Sequence, residues 1–131
     1  MNNYIPLSEK HEIVARKIVN SAYVVHKALG PGLLENVYEL CFCHELQKAG
    51  LKVERQIPIP IIYDGVKFAV SLRLDVLVEN LIICELKAVD VIHPIFEAQL
   101  LTHLKLTNKR LGFLINFNVL KIKDGLKRKI L

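Results

Sequence analysis

The stretch LRLDVLVENLIICELKAVD, residues 72 to 90, decides the architecture. It reads as two apolar strands joined by a short polar turn. Leu81 to Leu86 is apolar at every position except Glu85, the mark of a strand covered on both sheet faces. A buried, unpaired carboxylate costs on the order of several kcal/mol even after relaxation, so Asp75, Glu85 and Lys87 need a reason to be there. Glu85 and Lys87 are two apart on one strand and leave the same face, roughly 6 to 7 Å apart. A three-residue turn of Glu79, Asn80 and Leu81 opposes Val78 to Ile82 and Asp75 to Glu85, which puts both acids on one face. Two adjacent carboxylates repel unless a proton or a cation joins them. Oxygen ligands so arranged suit Mg²⁺ or Mn²⁺, and Lys87 beside them could stabilise an anion or help deprotonate a water.

Working towards the N-terminus, Asp64-Gly65 is a two-residue hairpin signal that feeds the strand ending near Val78. Residues 52 to 63 are extended, and Pro58 and Pro60 make them an edge strand because proline cannot donate to a ladder. Ser8 is a candidate N-cap with Glu9 and Glu12 in the first turn, and Val14, Ile18, Ala22, Val25 and Leu29 recur at helical spacing up to Gly30-Pro31. A second helix runs from about Leu33 to Ala49, with Leu34, Val37, Tyr38, Cys41 and Leu46 inward and Gly50 as its stop. Towards the C-terminus, His93-Pro94 opens a helix through about Leu106, with Phe96, Leu100, Leu101 and Leu104 as its apolar stripe. Arg110 to Phe117 is the last strand. The order is α-α-β-β-β-α-β, an α/β fold with a mixed sheet flanked by helices. The crossover helix makes the last two strands parallel.

The 131 residues are expected to form one domain, residues 1–131, large enough to bury a core without staples. With 52% hydrophobic and 24% charged residues, disorder is excluded. No apolar run reaches the ~18 residues of a membrane span, and MNNYIPLSEK lacks the apolar stretch of a signal peptide. Cys41, Cys43 and Cys84 follow no framework spacing, so a cytoplasmic chain with reduced thiols is expected. The net charge of +5 favours polyanionic partners, and basic residues gather late, at Lys105, Lys109, Arg110, Lys121, Lys123, Lys127, Arg128 and Lys129. A solvated face and a nucleic-acid contact are equally good accounts of that run.

Asp75, then Glu85-Leu86-Lys87, follows the D-x(n)-E-x-K signature of the PD-(D/E)XK nucleases. The element order resembles that superfamily's restriction-endonuclease-like αβββαβ core with an additional helix in front. Gly32-Leu33-Leu34-Glu35-Asn36-Val37-Tyr38 resembles the motif of the small GxxExxY family within the same group. Glu85 to Val89, Glu97 to Leu101 and Leu114 to Asn118 are similar to that family too, and the likeness runs from about residue 10 to the C-terminus. The resemblance implies a divalent-metal-dependent nuclease that hydrolyses phosphodiester bonds, with DNA favoured as substrate. Asp75 and Glu85 would be the principal metal ligands, the Leu86 carbonyl a further one, and Glu35 the helix-borne acid completing the site. Lys87 would position or activate the attacking water. Gln99 would be the helix polar residue that lambda-exonuclease-like members place at the active site. Those members often carry Tyr four residues later, where this chain has His103. The iron–sulfur members need four cysteines, so no cluster is expected.

Plainer readings stand beside these. Glu35 also suits a helix N-terminus, worth roughly 0.3 to 1 kcal/mol. Gln99 and His103 share a helix face, as a solvated stripe would. Cys41-x-x-His44 has too few partners for zinc. Tyr38 reads as a core aromatic, and Asp90 and His93 as loop and cap residues or as the cleft mouth. Two acids and one lysine leave a charge uncompensated, which favours a bound cation over a structural ion cluster. Lys121, Lys123, Lys127, Arg128 and Lys129 are the candidate phosphate contacts, and a dimer or protein partner would have to supply sequence specificity. The rival function is a non-catalytic nucleic-acid-binding or protein-interaction module that retains the nuclease fold.

Overall fold

Ile82–Lys87, the heart of the quoted stretch, is the middle strand of a five-stranded sheet in the computed structural model, which describes residues 5–131. Residues 1–4, the start of the segment read above for a signal peptide, lie outside the described residues. In chain order the elements are α1 (Glu9–Leu29), α2 (Glu35–Lys48), β1 (Val53–Tyr63), β2 (Val66–Val78), β3 (Ile82–Lys87), α3 (Pro94–Thr107), β4 (Leu111–Asn116) and β5 (Leu126–Ile130). A 3-10 turn at Ile122–Gly125 leads into β5. The strands lie in sequence order; β3 and β4 are parallel, joined by α3, and the other pairs are antiparallel. No helix among the described residues is long and apolar enough to cross a membrane.

The sheet is covered on both faces, as the apolar run of β3 requires. Ile82, Cys84 and Leu86 pack with Ile18, Ala22, Tyr38, Phe42 and Leu46 of α1 and α2. Ile83 faces the other way, with Leu77, Leu114 and the α3 residues Leu100 and Leu104. Each such fully buried side chain contributes roughly 1.5 to 3 kcal/mol. At Gly112 a Cβ would meet Leu100 Cδ1 at 2.8 Å, so the absent side chain lets α3 sit close on β4.

Local signals place the ends. Ser8 Oγ accepts from the His11 N–H (3.2 Å) and His11 Nδ1 accepts from the Ser8 N–H (3.3 Å), closing a capping box at α1. Asp64 and Gly65 both take positive φ (54° and 72°), the two-residue hairpin turn. The turn after β2 pairs Val78 with Ile82, the register that the three-residue turn implies.

Three expectations are corrected. A fifth strand, LKRKI, follows the one expected to be last. It is short, lies at the sheet edge and is basic at three of its five residues, so its period is hidden by charge. The second helix begins at Glu35, and Leu34 and Val37, expected inward, are exposed at 74% and 36%. Leu34 precedes the helix as its N-cap residue and so escapes the helical period. Leu29, in the last turn of α1, is likewise exposed rather than core.

One irregularity sets up the site. β1 and β2 pair at Arg55↔Val76 and Ile57↔Leu74, but no pair forms at the rung of Gln56 and Asp75. Gln56 has φ 51°, left-handed for a residue inside a strand. Val53, Val76 and Val78 pack with the α1–α2 cluster, whereas Ile57, Ile59, Leu72 and Leu74 pack with the α3 cluster. Residues two apart on a regular strand share a face, so both strands rotate at this rung. Asp75 sits at the turn of the twist.

Candidate metal centre at the strand fork

β2 and β3 stay paired only through Val76–Val78 and Ile82–Cys84, while β3 continues beside β4 as far as Lys87↔Asn116. Where β2 departs, the Leu86 N–H loses its ladder partner. Asp75 Oδ2 accepts it at 2.9 Å, satisfying a buried donor and fixing the orientation of the carboxylate. Extending the β2–β3 register by one rung sets Glu85 across from Asp75. Both side chains are buried, at 9% and 8% exposure.

Glu85 Oε1 lies 2.9 Å from His103 Nδ1 of α3. Burial pushes the Glu85 carboxyl up to about 7; the His103 contact opposes this, and the adjacent Asp75 carboxylate adds to it. Lys87 leaves the same strand two residues on. Its Nζ stands 4.4 Å from the centroid of the Phe96 ring, so α3 holds the ammonium by a cation–π contact.

Glu35 is the first residue of α2, and its approach is built by its neighbours. Gly32 takes φ 97° and donates its N–H to Asn118 Oδ1 at 3.0 Å. The Tyr38 hydroxyl donates to the Gly30 carbonyl (2.6 Å) and accepts from the Leu33 N–H (3.1 Å). Tyr38 is fully buried and stacked on Phe117, the core aromatic expected, and it ties down the loop that α2 leaves uncapped. Glu35 remains in contact with solvent. Partial desolvation and then the Asp75 charge raise its carboxyl, with Lys87 opposing, so all three groups share one field.

Among the described residues no three His, Cys, Asp or Glu side chains form a ready-made metal cluster. The structure therefore presents a close pair, Asp75 and Glu85, with Glu35 coupled from farther off. That pair fits Mg²⁺ or Mn²⁺: Mg²⁺ keeps several waters and takes one or two carboxylates together with substrate phosphates. Cys41, Cys43 and Cys84 are free thiols outside the pair.

A family model of the PD-(D/E)XK nuclease superfamily matches residues 12–129. The chain belongs to the PD-(D/E)XK nuclease superfamily. No curated protein and no solved structure matches it significantly. Members of this superfamily generally use divalent metals, and Asp75, Glu85 and Lys87 stand where β2 and β3 part. This is also the carboxyl end of the only parallel strand pair among the described residues, the place where open α/β sheets bind ligands.

The other residues singled out in the sequence fall into two groups. Gln99 lies on α3 one turn before His103, exposed, with no side-chain hydrogen bond among the described residues. Lys121 and Lys123 lie in the exposed turn beyond β4, at the same end of the sheet as the acids. Lys127 pairs with Leu114, itself the neighbour of Glu85, so it sits two strands from the acid at the same level. Arg128 and Lys129 point to opposite faces and are already engaged: Arg128 with Glu12 of α1 at 2.6 Å, Lys129 with Glu97 of α3. Asp90 Oδ1 accepts from Asn118 Nδ2 (3.0 Å), and His93 caps α3 through Ile95 N–H (3.1 Å), so both act as loop and cap residues.

Three residues went unread. Glu39, one turn after Glu35 and nearly fully buried, accepts from Arg55 Nε and Nη2 (3.1 and 2.8 Å) and from Gln56 Nε2 (2.6 Å). It clamps the rung where the hairpin rotates. Its signal was the spacing of four from Glu35 on one helix face. Buried Asn116 accepts from the Val89 N–H (3.1 Å) and donates to the Val89 carbonyl (2.9 Å), holding the segment that leaves Lys87. His26 meets the Val119 carbonyl at 2.7 Å and fixes the loop after β4. Two surface grooves, of about 530 Å³ beside Arg16 and Tyr23 and about 330 Å³ beside Val24 and Leu40, lie away from the acid pair.

Proposed function

We propose that the protein is a divalent-metal-dependent phosphodiesterase acting on nucleic acid, with DNA favoured over RNA. The observation that carries this is the juxtaposition of Asp75 and Glu85, two buried acids of which Glu85 is pushed up to about 7, chiefly by burial and further by the Asp75 charge. Burial of such a pair is costly without a cation, and a structural role would not need two. When bound, the divalent ion lowers the pKa of a water and neutralises charge building on the phosphate.

Asp75 and Glu85 would hold that ion, and neither has to search for its position. The Leu86 N–H fixes Asp75, and His103 fixes Glu85, the kind of outer contact that orients metal ligands. Glu35 adds negative potential from the third side. Lys87, held over Phe96, would steady the attacking water or the developing phosphorane charge. Gln99 would contact the nucleic acid at the mouth of the fork. Lys121, Lys123 and Lys127 have the exposure and placement to hold the backbone, giving binding that weakens with salt and reads little sequence.

A cleavage panel of single-stranded, duplex, flap and four-way-junction DNA, with matching RNA, tests the reading in Mg²⁺ and Mn²⁺. Metal-dependent products that vanish in Lys87→Ala support it. No cleavage of any substrate with either metal would remove the catalytic claim.

A further inference from the structure

β5 is the last strand of the sheet and pairs only with β4 among the described residues. The Leu131 N–H donates to the Arg110 carbonyl at 2.8 Å, which extends the β4–β5 register by one rung. Bonded and non-bonded rungs alternate in an antiparallel pair, so Lys129 and Lys127 spend their backbone groups on β4. The N–H and C=O groups of Leu126, Arg128 and Ile130 therefore turn to the open edge. Leu126 and Arg128 also line a groove of about 530 Å³ between this strand and α1. Ala15, Val19 and Phe113 give it an apolar floor, and Arg16, Asn20 and Tyr23 stand exposed along its α1 side. An unpaired strand beside a helix-walled groove is how a sheet takes up an extended peptide. Backbone groups supply the affinity, and alternate side chains enter the groove.

The charges say what kind of chain would add. β5 carries three bases and no acid. Among the charged residues lining the groove, Glu12 is engaged by Arg128 at 2.6 Å, and Arg16 forms no ion pair among the described residues. A second copy of β5 laid on this edge would set bases against bases, and like charges directly opposite are destabilising. A nucleic acid would meet the arginines, but it has no alternating donors and acceptors for the edge and nothing to bury on the floor. Charged edge residues ordinarily keep other strands away. Protection alone, however, would not leave an apolar floor open beside the edge. A strand that alternates acidic with apolar residues satisfies the backbone row, the floor and the charge together.

We propose that the groove between α1 and β5 takes an extended acidic–apolar segment of a protein partner, added as a further strand on the β5 edge. Its apolar side chains rest on Ala15, Val19, Phe113 and Leu126, and its acids meet Arg16 and the bases of β5. The proposal stands independently of the nuclease reading, because it uses no residue of the acid pair.

Fluorescence polarisation with the full chain tests it, using a short labelled peptide in which glutamate alternates with valine or phenylalanine. Saturable binding is expected, and the same peptide with lysine in place of glutamate should not bind. Methylating the peptide's alternate backbone nitrogens removes edge pairing without touching the protein or the side chains. That change is expected to weaken binding at least about tenfold, the worth of two or so hydrogen bonds. Arg16→Glu, at an exposed position, should weaken it by about as much, while thermal unfolding and Mn²⁺ titration stay as in the wild type. No saturable binding of the glutamate peptide overturns the proposal. So does binding that survives both backbone methylation and Arg16→Glu, because charge alone would then explain it. Dimers seen in sedimentation, or duplex-DNA binding, that Arg16→Glu abolishes while the peptide fails to bind would overturn it in favour of a second copy or of nucleic acid.

Discussion

Asp75 Oδ2 accepts the Leu86 N–H at 2.9 Å, so the acid that opens the nuclease signature also completes the sheet where two strands part. The contact joins the two halves of the motif through the backbone, and it separates charge from shape in a way substitution can read. Asp75→Asn keeps an acceptor for Leu86 and relieves repulsion with Glu85. Its metal-free stability in urea is expected to equal or slightly exceed that of the wild type. Asp75→Ala strands a buried donor and is expected to cost about 1 to 3 kcal/mol. Equal losses for both variants would mean that charge, not the hydrogen bond, holds the fork.

Glu85 makes metal-free stability depend on pH. The unfolded carboxyl releases its proton near ~4.3, whereas the native one keeps it up to about 7. Between those values the folded protein binds more protons, so stability falls as pH rises. The penalty is absent below the unfolded value and fully present above pH 7, where it amounts to roughly 4 kcal/mol. Glu35, raised as well, acts in the same direction. Glu85→Gln is expected to flatten this slope in melts from pH 4 to pH 8. An unchanged slope would place the proton elsewhere.

The clamp on the rotated rung is expected to matter more to stability than its surface position implies. Arg55→Ala leaves the buried Glu39 carboxylate with Gln56 as its remaining partner, and because the Arg55 side is half-exposed a cost of roughly 1 to 3 kcal/mol is expected. Arg55→Lys should retain part of it. Denaturant titration of both variants decides this, and a loss within experimental error would show that solvent reaches Glu39 freely.

Among the late basic residues, engagement decides the outcome. Lys121, Lys123 and Lys127 form no ion pair among the described residues, whereas Arg128 and Lys129 are paired with Glu12 and Glu97. Reversing Lys127 is expected to weaken DNA binding and lower the slope of log affinity against log salt by about 1. Reversing Arg128 should chiefly lower stability by repulsion from Glu12. Equal effects of the two on the salt slope would contradict this division.

The strands around the fork were legible because burial writes itself into composition. Ile82 to Leu86 had to be a covered strand, and the Val78↔Ile82 register followed from turn length. The Asp64-Gly65 turn and the Ser8 cap were legible because each rests on a local residue preference. The fifth strand was not: its Lys-Arg-Lys centre has no apolar alternation, and it is held by pairing to β4, which a local pattern cannot show. The same limit hid Glu39, whose partners Arg55 and Gln56 lie across a tertiary contact. His103 was legible as a helix-face neighbour of Gln99 but not as the partner of Glu85, because that contact spans two elements. Leu34 misled because hydrophobicity alone placed it inside a helix that begins one residue later.

Calorimetric titration of Mn²⁺ into the wild type, Asp75→Asn and Glu85→Gln tests the central claim most directly. Run at pH 6 in buffers of different ionisation heat, it also counts protons. The wild type is expected to bind the ion and release close to one proton from Glu85, and a hundredfold excess over the dissociation constant should add roughly 2.7 kcal/mol of stability. Both variants should lose the binding. A wild type that takes up no Mn²⁺, or variants that bind it as the wild type does, would show that Asp75 and Glu85 are not a metal centre.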